Sequence, residues 1–133
     1  MIIYEPELHL GEDILVPDLA GWRRETMPAY PDTAWSELAP DWVCEILSPS
    51  TEKYDRNEKR EIYASAGVKH LWLVDPRIEL LEVFALSTGR WTLVHTFAND
   101  DAVRVVPFEA GAFRLGRIWP PDRGPSASPT ESE

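Results

Sequence analysis

The sequence predicts an α/β fold, in which a central mixed β-sheet is flanked by helices and the C-terminal half forms an antiparallel meander. Two apolar runs, residues 41–47 and 70–75, have the length and near-continuous apolarity of buried strands. The segment between them has apolar residues at helical spacing, with Asp55 as the predicted N-cap and Gly67 at the predicted C-terminus. A strand, a helix and a second strand in this order predict a βαβ crossover.

Strands are also predicted on either side of this unit. Residues 80–86 and 91–97 are strand-like and are separated by a Ser-Thr-Gly-Arg turn, which predicts a hairpin. Residues 14–22 form a strand pattern that Pro17 interrupts, because proline cannot donate to a hydrogen-bonded ladder. Residues 23–40 are rich in proline, charge and small side chains and predict a long loop.

Composition predicts one domain with a hydrophobic core. Hydrophobic residues make up 44% of the 133-residue chain. We expect residues 1–119 to form a single domain and residues 120–133, rich in Pro, Ser, Thr and Glu, to form a disordered tail. No apolar stretch has the roughly 20 residues of a membrane helix, and no secretory signal is seen. Cys44 is the only cysteine, which excludes an internal disulfide and fits a cytoplasmic location.

The acidic charge balance limits the partners that the chain can bind. The formal net charge is -10 and the isoelectric point is near 4.7, which argues against tight passive binding to nucleic acid. It does not exclude an enzyme that acts on nucleic acid, because a local basic surface and a bound metal ion can offset the repulsion. The sequence also lacks a serine-hydrolase elbow, a phosphate-binding lysine loop, a dinucleotide fingerprint and paired Cys/His zinc spacing.

Two carboxylates next to apolar segments suggest a divalent-metal site. Asp18 follows Pro17, and Glu45 lies inside the apolar run Trp42 to Leu47, where a charge is costly unless it is paired or binds a cation. Mg²⁺ is usually held by one or two carboxylates, water and phosphate. The competing interpretations are a turn for Asp18 and a buried ion pair with an arginine for Glu45.

Lys59 is the third candidate residue. It follows Asp55 and precedes Tyr63 by four residues each, so the three can share one face of the helix. One interpretation places its ammonium beside the metal, where it orients water or stabilises charge on the phosphate. The other is a surface ion pair with Asp55, which contributes a few tenths of a kcal/mol.

Four segments of the chain together form a recognisable pattern: Pro17 to Ala20, Pro40 to Thr51, Asp55 to Lys59 with Tyr63, and Leu71 to Pro76. The most specific part is Glu-x-Leu-Ser-Pro-Ser at residues 45–50. Over residues 14–98 the chain resembles the Uma2 family, a group of restriction-endonuclease-like proteins within the PD-(D/E)XK nuclease superfamily, which implies that the domain of residues 1–119 is nuclease-like.

The resemblance implies a restriction-endonuclease-like core with Mg²⁺, or alternatively Mn²⁺, at one edge of the sheet. On this pattern Asp18 and Glu45 bind the metal, and the backbone carbonyl of Ile46 is a further ligand. The lysine of the superfamily normally lies two residues after the second acid, where this chain has Leu47. The implied replacement is Lys59 on the following helix, since the chemistry requires only the position of the ammonium in space.

The leading hypothesis is therefore a Mg²⁺-dependent endonuclease that hydrolyses DNA phosphodiester bonds, with Asp18, Glu45 and Lys59 as catalytic residues. Family members usually carry an additional N-terminal helix, and we expect it to be missing here. The rival hypothesis is an inactive, truncated family member that acts as a binding or regulatory subunit, as a homodimer through an exposed sheet edge. A third is a phosphodiesterase for RNA or a small molecule on the same scaffold.

Overall fold

The computed structural model describes residues 1–108 and 113–119, and these form a mixed α/β fold. The strands in chain order are β1 (Ile2–Tyr4), β2 (Glu7–Leu10), β3 (Asp13–Leu15), β4 (Leu19–Gly21), β5 (Trp35–Ser36), β6 (Trp42–Ile46), β7 (His70–Asp75), β8 (Leu80–Ser87), β9 (Arg90–Ala98), β10 (Ala102–Val103) and β11 (Phe113–Arg114). One helix, α1, spans residues 52–66, and a 3₁₀ helix covers Leu115–Ile118. The α/β fold with a central mixed sheet, predicted from the sequence, is confirmed.

The central sheet has six strands in the order β1-β4-β6-β7-β8-β9. Strands β6 and β7 pair in parallel through α1, so the predicted βαβ crossover is present. All other pairs in this sheet are antiparallel, including the predicted β8–β9 hairpin. Two smaller sheets, β3-β2-β5 and β10-β11, accompany it. The crossover brings the C-terminal ends of β6 and β7 to the same edge of the sheet, where Glu45 and Asp75 lie.

Pro17 divides the predicted strand of residues 14–22 into two. Strand β3 pairs with β2 in a small sheet, whereas β4 pairs with β1 and β6 in the central sheet. Because proline has no N–H to contribute to a ladder, the chain leaves one sheet before Pro17 and enters the other after it. Asp18 therefore lies at the start of β4, beside the C-terminal end of β6.

Helix α1 begins one turn earlier than the sequence pattern predicts. Thr51 is the N-cap residue, and the N–H groups of Thr51 and Glu52 bond the carbonyl of Ser48 at 3.1 and 2.9 Å. The prediction of Asp55 as N-cap is wrong, because the Ser-Pro-Ser-Thr turn has already started the helix when the chain reaches Asp55. The prediction for the other end is confirmed: Gly67 is the C-cap residue, with a left-handed φ of 82°.

The middle of α1 is π-helical. Its three parts are an α-helical Glu52–Tyr54, a π-helical Asp55–Lys59 and an α-helical Arg60–Ala66. Wide turns of this kind inside α-helices occur frequently at functional sites. Here the wide turn contains Lys59, which contacts Glu45, and Asp55, which contacts Lys59.

Two apolar clusters pack against opposite faces of the central sheet. The cluster on the α1 side includes Val43, Leu71 and Tyr63, all fully buried. The cluster on the other side includes Trp42, Trp72 and Leu81. Side chains alternate along a strand, so in β6 Glu45 shares the α1 face with Val43. The only charged residue within β6 is thus directed toward the helix and not toward solvent.

Some expectations fall outside what the structure describes or tests. The predicted disordered tail, residues 120–133, lies outside the described residues. The interpretation of residues 1–119 as one domain stays a prediction. Among the helices of the described residues, none is long and apolar enough to cross a membrane.

Candidate active site

Asp18 and Glu45 lie side by side on neighbouring strands. The antiparallel register pairs Leu19 with Cys44, and its continuation by one residue places Asp18 opposite Glu45. The Asp18 side chain reaches across to β6, where its Oδ2 accepts a 2.6 Å hydrogen bond from the backbone N–H of Ile46. This bond ties the half-buried Asp18 carboxylate to the strand that carries Glu45.

Glu45 is buried, with 2% of its surface exposed, and two donors from α1 satisfy one of its carboxylate oxygens. The Lys59 ammonium lies 3.0 Å from Oε2, and the Tyr63 hydroxyl donates to the same oxygen at 2.6 Å. A buried carboxylate is costly without such partners. The partner of Glu45 is therefore a lysine together with a tyrosine, and not the arginine of the competing interpretation.

Lys59 is shared between two carboxylates. Its Nζ lies 3.3 Å from Oδ1 of Asp55, in addition to the contact with Glu45. Its side chain is only 12% exposed, so its ion pair with Asp55 is not a surface ion pair. Burial favours a lower pKa for the Lys59 ammonium, but the carboxylates of Glu45 and Asp55 outweigh it and the pKa is raised. The lysine is accordingly charged at neutral pH.

The electrostatics of Glu45 are dominated by its burial. Desolvation raises the pKa of Glu45 to about 7, even though the Lys59 ammonium and the Tyr63 hydroxyl act in the opposite direction. Near neutral pH, the positive charge around the ionised Glu45 carboxylate is therefore too small to offset the cost of its burial. A divalent cation beside the carboxylate would supply the missing positive charge.

The donor set is compatible with Mg²⁺. Lys59 and Tyr63 both bind Oε2 of Glu45, which leaves Oε1 without a hydrogen bond among the described residues. Asp18 likewise uses only Oδ2 there. Residues 1–108 and 113–119 contain no group of three or more His, Cys, Asp or Glu side chains placed to hold a metal ion. Two carboxylates with a backbone carbonyl are still an ordinary Mg²⁺ set, since water and phosphate complete the shell.

A second polar network flanks this site at the end of β7. Asp75, 4% exposed, receives a two-pronged contact from Arg77, with Nε–Oδ1 at 3.0 Å and Nη2–Oδ2 at 2.9 Å. Arg77 also pairs with Glu52, and Glu52 with Arg56 at 2.8 Å. Hydrogen bonds from Arg77 lower the pKa of Asp75. Arg56 and Arg77 are thus already paired with acids.

Sequence reasoning identified three side chains of this site but not the roles of two others. The sequence pattern gives Tyr63 only a helical spacing and predicts Asp55 as an N-cap. Their contacts with Glu45 and Lys59 become visible only when α1 is placed on β6. The signal for Tyr63 was its position four residues after Lys59, on the face that also carries Ile62 and Ala66.

Cys44, next to Glu45 in sequence, does not take part in the site. It is 5% exposed and packs in the cluster on the other face of the sheet. Burial, together with the nearby carboxylates of Glu45 and Asp18, raises the pKa of its thiol. Cys44 is therefore a buried core residue.

Comparison with known proteins identifies the family. The model of the Uma2 family, described as "Putative restriction endonuclease", matches residues 2–115. The chain belongs to the Uma2 family. The match covers every residue of the site described above, and it confirms the resemblance seen in the sequence. A search of curated proteins finds no match.

A solved structure supports the Uma2 fold. The crystal structure of a protein from Anabaena variabilis, described as a "putative nuclease belonging to DUF820", is similar to this chain with a TM-score of 0.68. The two sequences are 22% identical, so the likeness concerns the fold alone. The alignment covers 86% of this chain and 64% of that protein, so the chain spans less than two thirds of its structural relative.

Proposed function

We propose that this Uma2 chain is a Mg²⁺-dependent endonuclease that hydrolyses phosphodiester bonds in DNA, and that Mn²⁺ can replace Mg²⁺. The single observation that supports this most strongly is the buried Glu45 carboxylate, which lies opposite Asp18 on the neighbouring strand and is bound by Lys59. The family assignment supports a nuclease. The metal and the DNA substrate are our inference from the donor set and from the charge of the site.

Each residue has a role in this proposal. Asp18, Glu45 and the backbone carbonyl of Ile46 would hold the cation. When bound, Mg²⁺ would lower the pKa of a water molecule and offset the negative charge that develops on the phosphate. Lys59 would hold Oε2 of Glu45, so that Oε1 points to the cation, and would place a second positive charge near the phosphate. In the reaction, a water oxygen bonds to phosphorus and gives a proton to solvent, the opposite P–O bond breaks, and the departing oxygen takes a proton from solvent.

The acidic surface sets an expectation for substrate binding. With a net charge of -10, we expect weak DNA binding that depends on the divalent ion and has a shallow salt dependence. A homodimer through a sheet edge, either β1 or β9, is also a proposal, as is a cytoplasmic location. DNA is preferred over RNA or a small phosphodiester because the family description names a restriction endonuclease.

The test is a cleavage assay with matched variants. Purified protein is incubated with supercoiled plasmid, single-stranded DNA and RNA, each with Mg²⁺, Mn²⁺ or a chelator. We expect metal-dependent nicking of DNA by the wild type and loss of at least 100-fold in Glu45→Gln and Lys59→Met. The controls are Glu58→Gln and Lys53→Met, which remove the same charges from exposed positions of α1.

Two outcomes would overturn the proposal. Equal cleavage by the wild type and by Glu45→Gln would assign the activity to a contaminant. Absence of cleavage, together with absence of Mg²⁺ binding by calorimetry, would remove the enzymatic interpretation. Cleavage of RNA in preference to DNA would keep the metal site and replace the substrate.

A further inference from the structure

We propose that Tyr63 and Asp55 are positioning residues, Tyr63 for the metal-binding carboxylate of Glu45 and Asp55 for the ammonium of Lys59, and that the π-helical turn of α1 brings both into place. This inference rests on the proposed function, because it assigns to each residue a separate effect on the same reaction.

Tyr63 fixes the orientation of Glu45. Its side chain is fully buried, and its hydroxyl donates to Oε2 of Glu45 at 2.6 Å. A carboxylate that is held through one oxygen presents the other in a defined direction. Partners of this type, which contact a metal ligand and not the metal, typically change metal affinity or activity by 10- to 100-fold when they are removed.

Asp55 gives Lys59 a second carboxylate contact. It is 3% exposed, and its Oδ1 lies 3.3 Å from Nζ of Lys59, whose side chain is 12% exposed. A lysine has a flexible four-carbon stem and three donors. With Glu45 as its only carboxylate, the ammonium could swing about that contact. The second carboxylate restricts Nζ to one place beside the site.

The π-helical turn explains how three residues at four-residue spacing line up at the site. Lys59 and Tyr63 contact Glu45, and Asp55 contacts Lys59. In an α-helix, four residues turn about 400°, so residues eight apart drift about 80° from a common line. A π turn holds more residues than an α turn. Four residues of π-helix therefore rotate by less than a full turn, whereas four residues of α-helix rotate by more than a full turn. The π segment Asp55–Lys59 followed by the α segment Arg60–Ala66 therefore offsets the drift, and it keeps Asp55, Lys59 and Tyr63 along one line.

The first test separates Tyr63 from Asp55 by kinetics. In Tyr63→Phe, which removes only the hydroxyl, we expect the Mg²⁺ concentration for half-maximal cleavage to rise 10- to 100-fold. At saturating Mg²⁺ the rate should recover to within a few-fold of wild type. The control is Tyr30→Phe, which removes a hydroxyl from the loop before β5 and should leave the half-maximal concentration unchanged. An unchanged Mg²⁺ requirement in folded Tyr63→Phe would overturn the assignment of Tyr63.

Asp55→Asn should show the opposite pattern. We expect kcat to fall 10-fold or more at saturating Mg²⁺, with the half-maximal Mg²⁺ concentration within twofold of wild type. Glu58→Gln, in the same π turn but exposed, is the charge-matched control. A purely structural role would lower the melting temperature and leave kcat of the folded fraction intact, so both variants are measured by thermal unfolding as well. An unchanged kcat in folded Asp55→Asn would overturn the assignment of Asp55.

The second test does not depend on cleavage. The chain has three lysines, Lys53, Lys59 and Lys69, and the first and last are exposed. Acylation of the native wild type by an amine-selective reagent, followed by mass spectrometry at each lysine, should modify Lys59 at least 10-fold more slowly than the other two. In Asp55→Asn the rate at Lys59 alone should increase.

The two lysine results separate the positioning inference from the proposed function. If Lys59 in the wild type reacts as fast as Lys53, the ammonium is not held and the inference fails, whatever the cleavage assay shows. If Lys59 is protected but the wild type cuts no substrate, the proposed function fails while the held geometry stands.

Discussion

Replacement of Glu45 by glutamine should change the way in which stability depends on pH. Burial raises the pKa of Glu45 from its ordinary value of 4.5 to about 7 in the folded protein. Each pKa unit corresponds to 1.36 kcal/mol, so the ionised carboxylate costs the folded state about 3 kcal/mol relative to the neutral acid. Glutamine keeps the shape of the side chain and carries no charge at any pH, so it avoids this cost.

The sign follows from proton binding in the two states. Below pH 4.5 Glu45 is protonated whether the chain is folded or unfolded, and above pH 7 it is ionised in both. Between these values the folded state binds more protons than the unfolded state, so the free energy of unfolding of the wild type falls as the pH rises. The stability of Glu45→Gln relative to wild type should therefore increase by about 3 kcal/mol from pH 4.5 to pH 7.5.

The assay is urea denaturation without divalent ions, followed by tryptophan fluorescence at pH 4.5, 5.5, 6.5 and 7.5. The difference between variant and wild type cancels the titration of other groups, such as Asp75. Glu58→Gln, which removes the same charge from an exposed position of α1, is the control. A flat difference for Glu45→Gln, or one that falls as the pH rises, would refute the view that burial dominates the electrostatics of Glu45.

Three further predictions concern the surroundings of the site. Asp75→Asn should lower the free energy of unfolding by about 2 kcal/mol at pH 7, since it removes charged hydrogen bonds with Arg77. This loss should disappear in acid, because the pKa of Asp75 is lowered in the folded protein. A loss that does not depend on pH in urea denaturation would contradict this prediction. Gly67→Ala should lower the free energy of unfolding by about 1 kcal/mol in the same assay, because Gly67 has a left-handed φ of 82° that alanine disfavours. An added Cβ would meet no neighbour, so no steric clash contributes to the loss. Equal or greater stability would refute the strained C-cap. Cys44 should react with a disulfide reagent only as fast as the protein unfolds, since it is buried and its pKa is raised; rapid labelling of native protein would show that the thiol is accessible.

Sequence patterns predicted the unit that carries the site because its signals are local. The apolar run ending at Leu47, the glycine at position 67 and the second apolar run at 70–75 each specify one element. Their order specifies the parallel crossover of β6 and β7, which was observed. The burial cost of a carboxylate inside β6 also predicted, without any structure, that Glu45 needs a cationic partner.

The sequence could not specify which residues meet Glu45. Asp55 followed three residues later by Glu58 resembles a capping box, and this local pattern concealed the true start of α1 at Thr51. The π-helical turn is also invisible to periodicity, because hydrophobic spacing near 3.6 does not reveal one extra residue in a turn. The roles of Asp55 and Tyr63 depend on the packing of α1 against β6, which is tertiary information.

The most direct measurement is the location of a bound metal. Crystals of the protein soaked in Mn²⁺, which substitutes for Mg²⁺ and scatters anomalously, would give a difference map that locates the ion without reference to any assay. The account predicts one peak within coordination distance of both the Asp18 and Glu45 carboxylates, and its loss in Glu45→Gln. A peak only elsewhere, for example among the exposed acids Glu12, Asp13, Glu58 and Glu61, or none at saturating Mn²⁺, would contradict it.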